Sequence, residues 1–468
     1  MYTLIHPFIL ILVFLVPSLQ TQAPNPTPPS NNTQEKYWKT GVARAVITPR
    51  ENIWMSGFAA REKPSEGTLQ DLWVKALALE DAEGTKALFI STDLIGFSRE
   101  LSKAVCDRIQ RNHLLKRENI ILSSSHTHSG PVVNKNLYDI YPPFDDRMKR
   151  QIEDNLELLE DQILKCAGDA FEQMGPSTLS SGVGIARFAV NRRNNQESEV
   201  LYSSDLAGPS DHTVPVIKVS APDGGIKAIL FGYACHATVL GITQWSGDYP
   251  GFSQQKLEKS FPGSTALFFS GCGADQNALP RASVPLARQY GGELAEAVKC
   301  VLEEPMKDLA PYLSSHYREI EILFSNPLST DALQEIASQA PPWQQRWAQK
   351  LIHKMESGEK LPRSYPFYPI QSWKLGDQLL IALGGEVVVD YAIKLRKTWG
   401  DELFIAAYAN DVMAYIPSVR VLKEGGYEGD TSMRAYGQPS TWSPEIEEKI
   451  LVEVGRQISL LNNHSKEE

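Results

Sequence analysis

The stretch Ser123-Ser124-Ser125-His126-Thr127-His128-Ser129-Gly130-Pro131 sets two imidazoles two positions apart, just after the apolar run Ile120-Ile121-Leu122. That run reads as a buried strand, and side chains two apart on a strand point to the same side. His126 and His128 can therefore share one cavity, one binding a metal and the other moving a proton. An isolated His-x-His is more often a pair of hydrogen-bonded loop histidines, because histidine is often a partly buried polar residue and nothing more. Three more patches hold residue types that could join them: Gly232-Tyr233-Ala234-Cys235-His236-Ala237-Thr238, Gly384-Gly385-Glu386, and Tyr408-Ala409-Asn410-Asp411-Val412-Met413-Ala414-Tyr415. Two imidazoles, a carboxylate and a further oxygen form a donor set that Zn²⁺ accepts in a catalytic site that keeps a position for water. The four lie far apart in sequence, unlike an H-E-x-x-H helix, so spacing alone leaves the metal reading open. Glu386 after two glycines could instead be a carboxylate stabilised near a helix N-terminus, and Tyr415 a packing residue.

The elements that must position these groups alternate short β-branched runs with amphipathic segments. Strands are expected over 87–92, 119–123, 213–219, 228–233, 266–269, 378–383 and 403–407,. Helices are expected over 98–112, 146–172, 286–302, 331–355, 387–398 and 443–461,. The pattern predicts an α/β fold, a layered mixed β-sheet domain with flanking helices. Asp93, His126, His236, Asp275, Glu386 and Asn410 all fall just after expected strands, where α/β proteins place ligands,. The segment 331–362, with Pro341-Pro342 inside it, reads as a helical insertion or lid, and no internal repeat shows in the sequence.

Bulk properties exclude several classes. At 468 residues, 42% hydrophobic and 22% charged, the chain has the makeup of a globular protein able to bury a large core,. A net charge of -10 with no cluster of Lys and Arg argues against nucleic acid as a partner,. Phe8 to Val16 is an unbroken apolar run, too short to span a bilayer, and reads as the core of an export signal over 1–23 despite the lack of Lys or Arg before it,. A Pro- and Asn-rich spacer follows over 24–36, then a domain over 37–463,. Export implies a secreted or periplasmic protein. Cys106, Cys166, Cys235, Cys272 and Cys300 are too few, and odd in number, for a disulfide framework, and no C-x-x-C pair suggests a thiolate zinc site; Cys235 and Cys272 read as buried packing residues,.

Taken in order, the segment from Val42 to Pro49 with Gly57, Ile90-Ser91-Thr92-Asp93-Leu94, the S-H-T-H-S-G-P loop, Val190-Asn191-Arg192, the C-H-A-T turn, Ser246-Gly247-Asp248-Tyr249-Pro250-Gly251, Gly384-Gly385-Glu386 and Tyr427-Glu428-Gly429 resemble the neutral/alkaline, non-lysosomal ceramidases over nearly the whole chain after residue 37. The resemblance implies a single zinc ion held by His126, His236, Glu386 and Tyr415. It implies that His128 and Arg192 line the substrate site and that Tyr427 faces the reacting carbonyl. In physical terms His128 could pass a proton to a leaving amine, and Arg192 and Tyr427 could donate to a developing oxyanion. Asp93 and Asp248 could orient the imidazoles. Arg192 could otherwise simply pair with a surface carboxylate such as Glu197.

Two departures stand out. Where the family carries a G-D-x-S-P-N type loop with a serine regarded as catalytic, this chain reads Gly273-Ala274-Asp275-Gln276-Asn277-Ala278, with Asn277 at the serine's place. An amide is no nucleophile but can hold a carbonyl or a water, which favours direct attack by zinc-activated water. The family's C-terminal immunoglobulin-like domain is expected to be missing, because the sequence runs on only briefly after its last expected helix. The leading expectation is therefore an exported zinc amidohydrolase of sphingolipid-like chemistry, acting on ceramide-like lipid or another small N-acyl compound and touching membranes at most peripherally. The alternatives are a catalytically silent lipid- or glycan-binding relative, or a zinc esterase or deacetylase acting on a small carbohydrate.

Overall fold

Strands apolar on both faces must be covered on both faces, and this dictates the layering. The computed structural model describes residues 1, 37–133, 137–200 and 206–464. The expected leader and spacer, Met1 apart, lie outside the described residues. From Tyr37 onward the chain forms one compact unit.

The larger sheet contains β1 (Trp38–Val46), β2 (Trp73–Glu80), β3 (Lys86–Thr92), β4 (Ile120–Ser124), β5 (Gly175–Ile185), β6 (Thr213–Ser220), β7 (Ile226–Tyr233), β8 (Thr265–Ser270) and β9 (Lys307–Leu309). Their order is β4-β3-β2-β1-β5-β6-β7-β8, with β9 on β5. Only β3/β4 and β7/β8 pair in parallel. A parallel pair needs a crossover, and helices supply both. Helix α1 (Arg99–His113) joins β3 to β4, and α3 (Asp248–Ser260) lies between β7 and β8. With α2 (Asp146–Glu172) after β4 and α4 (Val284–Glu303) after β8, the chain runs twice through the same succession of elements.

The smaller sheet runs β10 (Leu313–Leu323), β11 (Ser364–Leu375), β12 (Gln378–Leu383) and β13 (Phe404–Ala406) in that order. Alternation along the strands sorts residues into layers. Leu77, Leu79, Phe89, Ile121, Leu230 and Phe269 of the large sheet bury against Trp373, Leu380 and Phe404 of the small one. Neighbouring residues face the other way: Ala76, Ala78 and Ile90 pack under α1 and α2, while Phe231 and Phe268 pack under α3 and α4. Ile370, Ile381 and Ile405 of the small sheet are covered by α7 (Val389–Trp399) and α8 (Ile446–His464). The result is helix, sheet, sheet, helix, and each large side chain so buried is worth about 1.5–3 kcal/mol.

The expected helix over 331–355 is broken into α5 (Thr330–Gln339) and α6 (Pro342–Glu356). Proline disfavours a helical conformation in the residue before it, and Ala340 and Pro341 are accordingly extended at ψ 170° and 150°,. This hairpin docks on the body through Trp347 Nε1, which donates to the Gln438 carbonyl, and Arg346, which donates to the Tyr141 carbonyl. No helix among the described residues is long and apolar enough to cross a membrane.

Candidate metal centre

Four of the loops that follow parallel-paired strands supply the site. After β4 the backbone turns at His126, which takes a left-handed φ of 57°. The strand has already ended at Ser124, so it is this turn, rather than strand alternation, that brings His126 and His128 into one cavity with their Nε2 atoms 3.3 Å apart. His236 follows β7 and pairs as a parallel bridge with Asn277. Glu386 and Tyr415 are direct partners in a two-residue parallel ribbon, Glu386–Val387 against Tyr415–Ile416. That ribbon, with α7 starting only at Val389, accounts for Glu386 better than a helix-end carboxylate does.

All four expected ligands converge. Glu386 Oε2 lies 3.1 Å from His126 Nε2 and 3.2 Å from His236 Nε2, and the Tyr415 hydroxyl is 3.3 Å from His236 Nε2. The imidazoles of His126, His128 and His236 each offer a nitrogen within 4.8 Å of the others. His126 Nδ1 donates to the Ile95 carbonyl at 2.5 Å and His236 Nδ1 to the Gly273 carbonyl at 3.0 Å. With Nδ1 carrying the proton, each Nε2 is a lone pair. Two lone pairs thus face a carboxylate oxygen that accepts no hydrogen bond and is wholly buried. Acceptors crowded on acceptors call for a cation between them, and this donor set fits Zn²⁺.

The groups around the cluster fix it. Tyr436 donates to Glu386 Oε1 at 2.5 Å, leaving Oε2 for the imidazoles. Arg192 donates from Nε to Glu428 at 2.7 Å and from its two amino groups to the Tyr415 hydroxyl and Asn277 Oδ1, at 3.1 and 3.4 Å. Arg192 therefore does not pair with Glu197, which is taken by Arg281. Asn277 Oδ1 also accepts from Thr238. His128 is different from its neighbours: its Nδ1 is buried without a partner, and its ring rests on Phe58 with centroids 4.6 Å apart. Gly57 roofs it, since a Cβ there would come within 2.3 Å of His128 Nδ1.

Burial and the adjacent imidazoles hold His128 well below the usual histidine range. Burial and Arg192 take His236 down to about 4. Partial burial of a side chain that keeps part of its ring exposed, with the charge of Glu386, pushes Tyr427 up to about 12, so its hydroxyl remains a donor at neutral pH.

The expected role of Asp93 and Asp248 is corrected. Asp93 accepts from the Trp73 backbone, and Asp248 from the backbones of Leu240 and Tyr249, so they brace the loops, while the carbonyls of Ile95 and Gly273 orient the imidazoles. Cys235 and Cys272 are buried among apolar side chains. Sequence reasoning missed Tyr436, which stands in an unremarkable Arg-Ala-Tyr-Gly, and Phe58 and Thr238, whose importance depends on contacts alone.

A cleft of ≈ 610 Å³ opens beside the cluster, lined in part by Arg192, Asn277 and Tyr427. A second, of ≈ 560 Å³, lined by Tyr138, Ile152 and Leu156, meets the cluster through Tyr436.

The fold and site define a class, a four-layered α/β protein with a buried centre of metal-binding composition. Comparison with known proteins supplies the family. The profile of the neutral/alkaline non-lysosomal ceramidase N-terminal region matches residues 38–276, which include His126, His128, Arg192 and His236, and the chain belongs to that family. Neutral ceramidase A of Dictyostelium discoideum is 24% identical over 248 residues, 50% of this chain and 34% of its own. The neutral ceramidase of Pseudomonas aeruginosa is 23% identical over 210 residues, 43% of this chain and 30% of its own. These matches span about a third of the curated relatives' length. The crystal structure of the Pseudomonas aeruginosa enzyme superposes with a TM-score of 0.68 at 18% identity, covering 88% of this chain and 72% of that one. A solved ceramidase described as complexed with C2 gives 0.66 at 16% identity, covering 88% and 73%. At such identity the likeness establishes the fold.

Proposed function

We propose that this protein is a zinc-dependent hydrolase of an N-acyl bond, exported through its N-terminal apolar segment, with His126, His236, Glu386 and Tyr415 as the metal's ligands. The observation that carries the reading is the unpartnered Glu386 Oε2 facing two imidazole lone pairs. Bound there, zinc would supply a Lewis acid for the acyl oxygen and lower the pKa of a water. In hydrolysis the water oxygen bonds to the acyl carbon, the C–N bond breaks, and the water's proton goes to the departing amine. His128 suits that transfer, because its Nε2 faces the cluster 3.3 Å from His126 Nε2, while its ring, unlike the two neighbouring imidazoles, is not pinned through Nδ1 by a carbonyl,. Tyr427, protonated and at the mouth, would donate to the carbonyl oxygen as charge develops,. Arg192 would act by holding the Tyr415 hydroxyl and Asn277 in place. Asn277 would present its amide N–H to the substrate carbonyl while Thr238 and Arg192 hold its oxygen. The family relationship supports the amide as the bond cleaved.

The test is amine release from a panel of N-acyl compounds by purified protein before and after chelation. We expect activity that vanishes with chelation and returns with zinc, and that falls about 10²–10⁴-fold in His128→Ala. Turnover unaffected by complete metal removal would refute the proposal.

A further inference from the structure

The cleft that shares Arg192, Asn277 and Tyr427 with the cluster is built for a polar occupant. Small-molecule sites are usually walled mainly by apolar side chains. Here Leu279 and Tyr427 are the only large apolar side chains among the described lining residues, and three arginines and three glutamates share the wall. These charges are locked to one another. Arg193 donates to Glu428 at 2.6 Å and to Glu424 at 3.0 Å, Arg192 donates to Glu428, and Arg281 donates to Glu197 at 2.9 Å. Three positive groups against three negative ones leave no net charge to select a phosphate or carboxylate. An alkyl chain laid along this wall would strip water from ion pairs and return no hydrogen bonds. Hydroxyl groups, each a donor and an acceptor, fit alternating guanidinium and carboxylate edges, with Gln196 adding an amide that both donates and accepts,. Tyr427, 46% exposed, offers a ring on which an apolar ring face can lie,. The more apolar cleft beside Tyr138 and Leu156 reaches the cluster through Tyr436, whose hydroxyl is already committed to Glu386.

We propose that this cleft receives a neutral, polyhydroxylated group, and that the bond presented to the cluster is the amide of an N-acylated amino sugar; the proposal rests on the hydrolase reading above. The step is a plain hydrolysis: water adds to the acyl carbon, the carbon–nitrogen bond breaks, and the free amine and the carboxylic acid leave.

The experiment uses the zinc-loaded full chain with N-acetylglucosamine, its β-1,4-linked disaccharide, N-acetylsphingosine and N-palmitoylsphingosine. It reads amine release, and separately binding of the sugars by ligand-observed NMR. We expect kcat/KM for the sugar amides to exceed that for the lipid amides by at least about tenfold. In Glu197→Leu/Arg281→Leu, KM for the sugars should rise about tenfold with kcat retained, while the lipid amides lose nothing. Should the double variant fail to fold, Arg281→Gln and the wild-type binding data carry the same comparison. Cleavage of the lipid amides with no binding or cleavage of the sugars would overturn the proposal and leave the hydrolase reading standing. Sugar binding without cleavage of any amide would uphold the occupant of the cleft and remove the hydrolase reading. If nothing binds and nothing is cleaved, both are wrong.

Discussion

Glu386 divides its two oxygens between different tasks, and the division depends on Tyr436. One oxygen takes the phenol's proton at 2.5 Å, and the other is left bare between His126 and His236. Partners of this kind typically alter metal affinity by about 10–100-fold when removed. Tyr436→Phe should therefore weaken zinc binding by about that factor with the circular dichroism unchanged, measured by competition with a chelating dye; unchanged affinity would show that Glu386 needs no such support. A second residue-scale prediction concerns Asp411, 4% exposed and hydrogen-bonded by Tyr365. Burial pushes its carboxyl up to about 7, against about 3.9 in an unfolded chain,. Between those values the folded state holds a proton that the unfolded state has released, so stability contributed below about pH 4 is lost as pH rises through 7. Asp411→Asn does not titrate and should be more stable than the parent at pH 8, by up to about 4 kcal/mol, with the gap closing toward pH 4. Urea denaturation at the two pH values measures it, and an equal gap at both would contradict the assignment. At this scale the candidate metal-binding groups could be singled out because histidine, glutamate and tyrosine carry donor atoms and the family resemblance pointed to these four among them. Their orienting groups could not, since the carbonyls of Ile95 and Gly273 have no residue identity to read.

Elements were legible where one signal dominated. The runs around Phe89, Ile121, Phe231 and Phe268 are apolar throughout and read as buried strands, and α2 has matching ends in sequence and structure. Five long strands, β1, β2, β5, β10 and β11, fall outside the expected set, and two of them escaped for a plain physical reason. β5 is Gly-Pro-Ser-Thr-Leu-Ser-Ser-Gly-Val-Gly-Ile, rich in residues that strands disfavour, and is held by neighbours on both sides,. β10, Leu-Ser-Ser-His-Tyr-Arg-Glu-Ile-Glu-Ile-Leu, is polar because it is a sheet edge,. Helix α3 begins Asp-Tyr-Pro-Gly, which reads as a turn, although proline fits a first helical turn well,. The repeated succession of strands and helices left no trace in the sequence because the two halves share topology and not residues. One glycine shows how tightly the layers meet. A Cβ on Gly41 of β1 would lie 1.9 Å from the Ala170 carbonyl oxygen of α2 and 2.9 Å from the Met174 nitrogen. Gly41→Ala must push the helix off the sheet, at a cost of about 1–3 kcal/mol or more. A lower urea midpoint is expected, and an unchanged one would mean that α2 does not sit on β1 as described.

Across the whole molecule, the centre depends on the meeting of distant loops. Side chains from one half hold the free edge of β8: Lys75 Nζ and Ser91 Oγ donate to the carbonyls of Ala266 and Phe268, and Ser270 Oγ reaches back to that of Ser125. The loop bearing His126 is thereby tied to the end of β8, just before Gly273, whose carbonyl fixes His236. The small sheet adds the rest, since Glu386 follows β12 and Asn410, after β13, bonds through its Oδ1 to the Leu122 backbone of β4. Assembly from three separate regions is why the site could be suspected from scattered patches and became visible only in the fold. The most direct measurement is crystallographic anomalous scattering at the zinc edge on protein loaded with one equivalent of zinc. The account predicts a single strong peak bounded by His126 Nε2, His236 Nε2, Glu386 Oε2 and the Tyr415 hydroxyl, with ligand distances of about 2.0–2.2 Å. A well-ordered crystal with these four side chains in place and no peak between them would contradict it.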